Sequence, residues 1–218
     1  MWGVRFADDR CNSRFVEVLY DATYEWVPTQ GWSFLPLDNY ASAANDTAAR
    51  FAPTGANLPD YEFALRMFLG FGAAACYRGT ALYSDAAAQA AVAAHVRWYK
   101  RFRSLLTRDV IHVRRPDEQG LDAILHADAS ASDGVVGILL VFNPTDAAMA
   151  GAPLRVPCYY TGLESAARVA QEPAERGAAH RANASTSWVL PLRRRDYSAL
   201  LPVTVAARAA TWYTISRP

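Results

Sequence analysis

The stretch LYSDAAAQAAVAAHVRWYKRFRSLLTRDVIHVRRP, from Leu82 to Pro116, leaves the chain few ways to fold. Its hydrophobic period changes from helical to extended with almost no loop between. Ser84 reads as the helix N-cap, and Asp85 adds negative charge to the first turn, where free N–H groups and the helix dipole favour it. Ala88, Val92, Val96, Tyr99, Phe102 and Leu106 recur at helical spacing and make one apolar face, which Trp98 and Leu105 widen. Arg97, Lys100, Arg101 and Arg108 fill the remainder, with cations suited to the C-terminal end. Val110-Ile111-His112-Val113-Arg114 then alternates with β-branched residues, and Pro116 closes it. The chain before this joint reads as α/β and the chain after it as all-β. The expected domains are therefore residues 1–107 and 109–218.

Ahead of the joint, Trp2 to Ala7 reads as a short strand ending in Asp8-Asp9-Arg10. In α/β sheets and barrels the C-terminal ends of strands carry the chemistry, although a solvated turn has the same composition. Ser13 to Glu25 reads as a helix with Phe15, Val18, Leu19 and Ala22 on one face. Pro28 to Pro59 is loop-rich with a strand at Trp32–Leu37, and a long irregular segment of this kind is usually a functional loop. Trp26, Trp32, Asp38, Asn39 and Tyr40 there combine aromatic faces with hydrogen-bonding groups, as a sugar subsite would; the aromatics would equally serve to tuck the loop onto the core. Asp60 reads as the cap of a helix burying Phe63, Leu65, Met67, Phe68 and Leu69. Gly70 to Tyr77 reads as a buried strand whose glycines permit close approach. The series is strand, helix, strand, helix, strand, helix. It is too short for a closed (β/α)8 barrel, which needs about 250 residues, and is read as the last βα units of one.

Past the joint, Leu121–His126 comes after a Pro116 to Gly120 turn and pairs with 109–115 as a hairpin. Val135–Phe142 is a continuous apolar run, the mark of a strand buried on both faces. Leu154–Tyr160, Ser187–Leu192, Leu200–Ala206 and Thr211–Ile215 bring the total to about seven strands, and Glu164–Ala184 reads as a long loop or short helix. Short strands with turn signals at this spacing indicate an antiparallel β-sandwich.

A net charge of +1 over 218 residues gives no reason to expect nucleic acid or an anionic membrane as partner. No apolar run reaches the length of a transmembrane helix. Acids stand in MWGVRFADDR where a signal peptide needs its apolar core, so no secretion signal is expected, and the compartment stays open. Three widely spaced cysteines, Cys11, Cys76 and Cys158, argue against a disulfide framework or zinc knuckle. His112 and His126 come near each other across the expected hairpin, but catalytic zinc needs three protein ligands. No metal or cofactor is expected. Six Trp and eleven Tyr are plentiful for this length, and flat aromatic faces suit sugar rings. The remaining chemistry is in carboxylates ahead of the joint: Asp8, Asp9, Glu17, Asp21, Glu25 and Asp38.

FLGFGAAACYRG, then a helix ending WYKRFRSLL, then HVRRP, then a sheet containing LLVFNP and PCYYTGL, resembles the C-terminal third of the clan-D α-galactosidase-like glycoside hydrolases. That resemblance implies the end of a (β/α)8 barrel followed by an antiparallel β-sandwich, with the Tyr99 to Arg103 helix linking them. Members use two aspartates. The acid/base comes after a Gly-rich Arg-Phe-Asp run, to which Gly3 to Asp8 is similar with Ala7 inserted, so Asp8 or Asp9 is implied as acid/base. The nucleophile sits in a Lys-x-Asp setting that this sequence lacks. One carboxylate cannot serve as both acid and covalent partner, so a fragment inactive alone is implied, with Arg10, Trp26, Trp32, Asp38 and Tyr40 against the sugar. Two alternatives stand beside it: a non-enzymatic β-sandwich module binding carbohydrate or a partner, and an enzyme whose two carboxylates, such as Asp8 and Asp38, both lie here. A partial barrel would expose parallel strand edges, so self-association through them is expected.

Overall fold

A computed structural model describes residues 32–36, 58–72, 74–78, 83, 85–117, 119–172 and 186–218. Among the described residues the bulk is antiparallel sheet with two helices. The α/β part consists of β1 (Trp32–Pro36), α1 (Leu58–Gly70), β2 (Ala74–Arg78) and α2 (Ala86–Leu106). β1 and β2 pair in parallel, in a two-stranded sheet.

Several boundaries differ from the sequence reading. Asp85, not Ser84, caps α2: its carboxylate accepts from Ala88 N at 2.8 Å. α1 begins at Leu58 rather than after Asp60, because Pro59, which has no N–H, fits a first helical turn whose N–H groups have no intrahelical partner. Gly70, expected in a strand, ends α1, and the strand begins only at Ala74. The close approach expected of this glycine is real, for a Cβ there would collide with Leu140 Cδ2.

α2 runs into β3 (Asp109–Arg114) across only Thr107 and Arg108. Arg108 there reaches Asp128 at 3.1 Å. β4 (Asp122–Ala127) completes the expected hairpin, with Val110 opposite His126 and Ile111 opposite Leu125. Then come β5 (Val135–Asn143), β6 (Met149–Pro157), β7 (Ala166–Gln171), β8 (Ser187–Pro191), β9 (Ser198–Val205) and β10 (Ala209–Ser216). β7 overturns the loop-or-helix reading of Glu164–Ala184 over 166–171: Ala167 and Val169 point inward, and Val169 registers against Ile215 of β10. The described sheets past the joint hold eight strands rather than about seven. Their orders are β3-β4-β5-β10-β7-β8 and β6-β9.

The central strands of the larger sheet are buried on both faces. Ile124, Ile138, Leu140, Phe142 and Trp212 face α1 and α2, whereas Ala123, Leu125, Leu139, Val141, Tyr213 and Ile215 face β6 and β9. This is the two-residue alternation of a pleated strand. A bulge opposite Ile215 and Ser216 skips Val136, so Val135 packs on the helical side and Val136 on the sandwich side, the reverse of the parity downstream. Asn143 locks the far end of β5. Its Nδ2 donates to the Ala147 and Ala206 carbonyls at 2.8 and 2.9 Å, and its Oδ1 accepts from Thr145 N and Oγ1.

Candidate functional site

Of the residues expected to act on a ligand, Asp8, Asp9, Arg10, Trp26, Asp38 and Tyr40 lie outside the described residues. Trp32 opens β1 opposite Ala74. The C-terminal ends of the parallel pair, Pro36 and Arg78, stand in register beside each other. That end is where ligands gather in parallel sheets, and Asp38 and Tyr40 come just after Pro36 in sequence. Trp32 begins the strand at its other end.

The strongest electrostatic constellation lies between the helices and the large sheet, and it is closed to solvent. Arg66 of α1 donates from Nη1 to the Ala210 carbonyl at 2.8 Å and from Nε to His95 Nε2 at 3.3 Å. Its guanidinium lies 5.4 Å from the centre of the Trp212 ring. Trp98 stacks on that ring at 4.2 Å, and His95 meets it edge-on at 6.1 Å. These partners fix the histidine's state. Nδ1 lies 2.8 Å from the Ala91 carbonyl, which can only accept, and Arg66 can only donate, so the imidazole is neutral with its proton on Nδ1. Burial first, then the Arg66 cation, hold His95 down to about 4. His126 is also fully buried, with Nε2 2.8 Å from the Gly70 carbonyl, and burial takes it to about 4 against the opposing pull of that carbonyl. Neutral and buried, His95 links α2 to α1 through Arg66, and His126 ties β4 to the end of α1.

His112 pairs with Ile124, one row from His126, and its charge adds to the lowering there. Among the described residues no group of three or more His, Cys, Asp or Glu is placed to hold a metal ion. Cys158 is buried and its thiol is pushed up to about 11 by that burial, which leaves little thiolate for nucleophilic work. Cys76 lies in β2. Arg193 to Asp196 forms an exposed turn, closed by Asp196 N donating to the Arg193 carbonyl.

One cluster escaped the sequence reading. The PCYYTGL segment turns through a single 3-10 element, Tyr159–Thr161, that leaves Tyr159 and Tyr160 on the outside of the sandwich, with Tyr197 against Tyr159. The signal was present as adjacent tyrosines between a proline and a glycine, but strand periodicity assigned the pair to the preceding β-strand.

No protein-family model matches the chain, and neither does any curated protein sequence. Solved structures do. The GH27 β-L-arabinopyranosidase of Geobacillus stearothermophilus matches with a TM-score of 0.56 at 11% identity, over 96% of this chain and 43% of that one. A putative α-N-acetylgalactosaminidase of Bacillus halodurans matches at 0.57 and 11%, over 97% and 44%. The α-amylase of Geobacillus thermoleovorans matches at 0.50 and 12%, over 92% and 42%. The chain therefore shares the fold of GH27 glycoside hydrolases over part of their length, and spans less than half of each of these three structures.

Proposed function

We propose that these residues form the C-terminal region of an α-galactosidase-like glycoside hydrolase, the end of its barrel followed by its β-sandwich. The observation that carries this reading is the architecture around the joint. A parallel strand pair and a long helix pass in two residues into an antiparallel sandwich, in a fold shared with GH27 enzymes. Asp8 or Asp9 acts as acid/base, and Arg10, Trp26, Asp38 and Tyr40 contact the sugar, an α-galactoside or related pyranoside; Trp32, at the opposite end of β1, is not among them. The nucleophile comes from sequence outside these residues, so the chain alone does not turn over. The barrel-end strands β1 and β2 associate with further strands, or between copies of the chain.

The test is turnover of aryl α- and β-glycosides by the chain alone and by the chain joined to an upstream barrel carrying a Lys-x-Asp strand. The expected result is activity only in the joined protein, abolished by Asp8→Asn or Asp9→Asn. Turnover by the chain alone overturns the division of carboxylates, and a joined protein indifferent to both substitutions overturns the acid/base assignment. A second reading, a sandwich that binds carbohydrate without catalysis, is favoured by the exposed pair Tyr159 and Tyr160.

A further inference from the structure

The turn after β6 mounts two tyrosines rigidly on the outside of the sandwich. Thr161 Oγ1 donates to the Cys158 carbonyl at 2.6 Å, and Gly162 closes the turn with φ +70. Tyr159 and Tyr160 are 64% and 54% exposed, with ring centres 5.3 Å apart and planes at 89°. The ring of Tyr197 stands 5.7 Å from that of Tyr159. Tyr197 holds φ +51, a left-handed conformation that costs a bulky residue about 1–2 kcal/mol. The surroundings over-determine it. Tyr197 N donates to the Arg193 carbonyl at 2.8 Å, and its own carbonyl accepts from Cys158 N at 2.9 Å. The Asp196 carboxylate accepts from Ser198 N and Oγ. The left-handed turn residue thereby brings a third aromatic ring to the exposed pair. Arg193, Arg194 and Arg195 are exposed in the same turn, and Arg155 reaches Asp196 at 3.3 Å. Four cations there stand against Asp196 and, two residues past Gly162, Glu164.

We propose that Tyr159, Tyr160 and Tyr197 form a docking platform for an acidic glycan. The rings take the C–H faces of pyranose units, and the arginines of the 193–195 turn take their carboxylates, which guanidinium recognises in a planar fork. The choice of a glycan rests on the glycosidase reading; the choice of an acidic one rests on the arginines. The platform belongs to the sandwich and uses none of the residues assigned to catalysis.

Electrophoresis of the full chain through gels containing polygalacturonate, beside gels containing neutral galactomannan, tests it, with calorimetric titration against trigalacturonate as the second measurement. The chain is expected to be retarded by polygalacturonate alone, and less so as salt rises. Tyr159→Ala and Tyr160→Ala should each weaken trigalacturonate binding about tenfold with Tm unchanged, since both rings are largely exposed. Arg194→Ser with Arg195→Ser should remove the retardation. Retardation by galactomannan to the same degree, retardation indifferent to the tyrosine variants, or none in either gel overturns the platform. Turnover by the joined protein without retention here overturns the platform and leaves the glycosidase reading intact. Retention without turnover supports the platform and counts only against that reading.

Discussion

When the pH falls from 7 to 5, His95 and His126 are offered protons that their surroundings refuse. Burial holds both near 4, against 6.5 in an open chain, and at His95 a second proton would also replace the bond from Arg66 with a contact between cations. The unfolded chain therefore binds these protons first. The stabilisation is full above pH 6.5 and is lost as the pH falls toward 4. At pH 5 an unfolded imidazole is nearly all charged and a folded one nearly all neutral, which amounts to ~2 kcal/mol per histidine. The pair gives ~4 kcal/mol, a large share of the roughly 5–15 kcal/mol that holds a typical domain folded. Asp117, Asp128 and Asp196 are also shifted, each downward. Their contributions fall away only below the ordinary carboxylate pKa, outside this window. Urea unfolding at pH 7, 6 and 5 measures the slope for the wild type and for His95→Gln and His126→Gln. The wild type should lose ~4 kcal/mol between pH 7 and 5, and each variant about half as much. Equal slopes in all three, or imidazole resonances that titrate near 6.5 in the folded protein, would refute the reasoning.

Gly162→Ala should cost about 1–3 kcal/mol, read as a lower Tm, because φ is +70 and the new Cβ would stand 2.9 Å from that of Ala129. Gly151→Ala serves as its control: φ is +63 there with nothing within 4 Å, so it should lose only the smaller backbone share. Residues 109–218 expressed alone should bind hydrophobic dye and aggregate. Removing α1 and α2 uncovers Ile124, Ile138, Leu140, Phe142 and Trp212, and each such side chain is worth about 1.5–3 kcal/mol when buried. A monomeric, cooperatively unfolding 109–218 would show that the sandwich does not depend on the helices.

The period change at the joint was legible because helix and strand patterns differ so sharply, and β3, β4, β5, β8, β9 and β10 were found from alternation or continuous apolar runs. Legibility failed where composition and environment disagree. The buried face of α2 includes Ala91, Ala94 and His95, while Val96 and Tyr99 are only half-buried. Ranking positions by apolarity skipped a histidine whose partners, Arg66 and the Ala91 carbonyl, make burial tolerable. β7 was missed because AARVAQ carries little β-branched signal. It is a strand because Ala167 and Val169 fit the space beside Ile215 and Tyr213. The long Pro28 to Pro59 segment offered the most suggestive polar and aromatic residues, and of it only 32–36 and the start of α1 lie within the described residues.

Two of the segments that carried the family resemblance, WYKRFRSLL and LLVFNP, belong to the framework. In WYKRFRSLL, Trp98, Phe102, Leu105 and Leu106 are buried against the sheet while Arg101 turns outward to Glu172. In LLVFNP, Leu139 and Val141 face one layer and Leu140 and Phe142 the other, and Asn143 ties the strand end to the β9–β10 turn. These positions are constrained by a sheet that must satisfy two layers at once. An α-amylase and a β-L-arabinopyranosidase match the same architecture at comparable identity, as expected if the framework is shared while specificity is set elsewhere. Substitutions in the two-faced sheet should therefore act first on stability, read as a lower Tm.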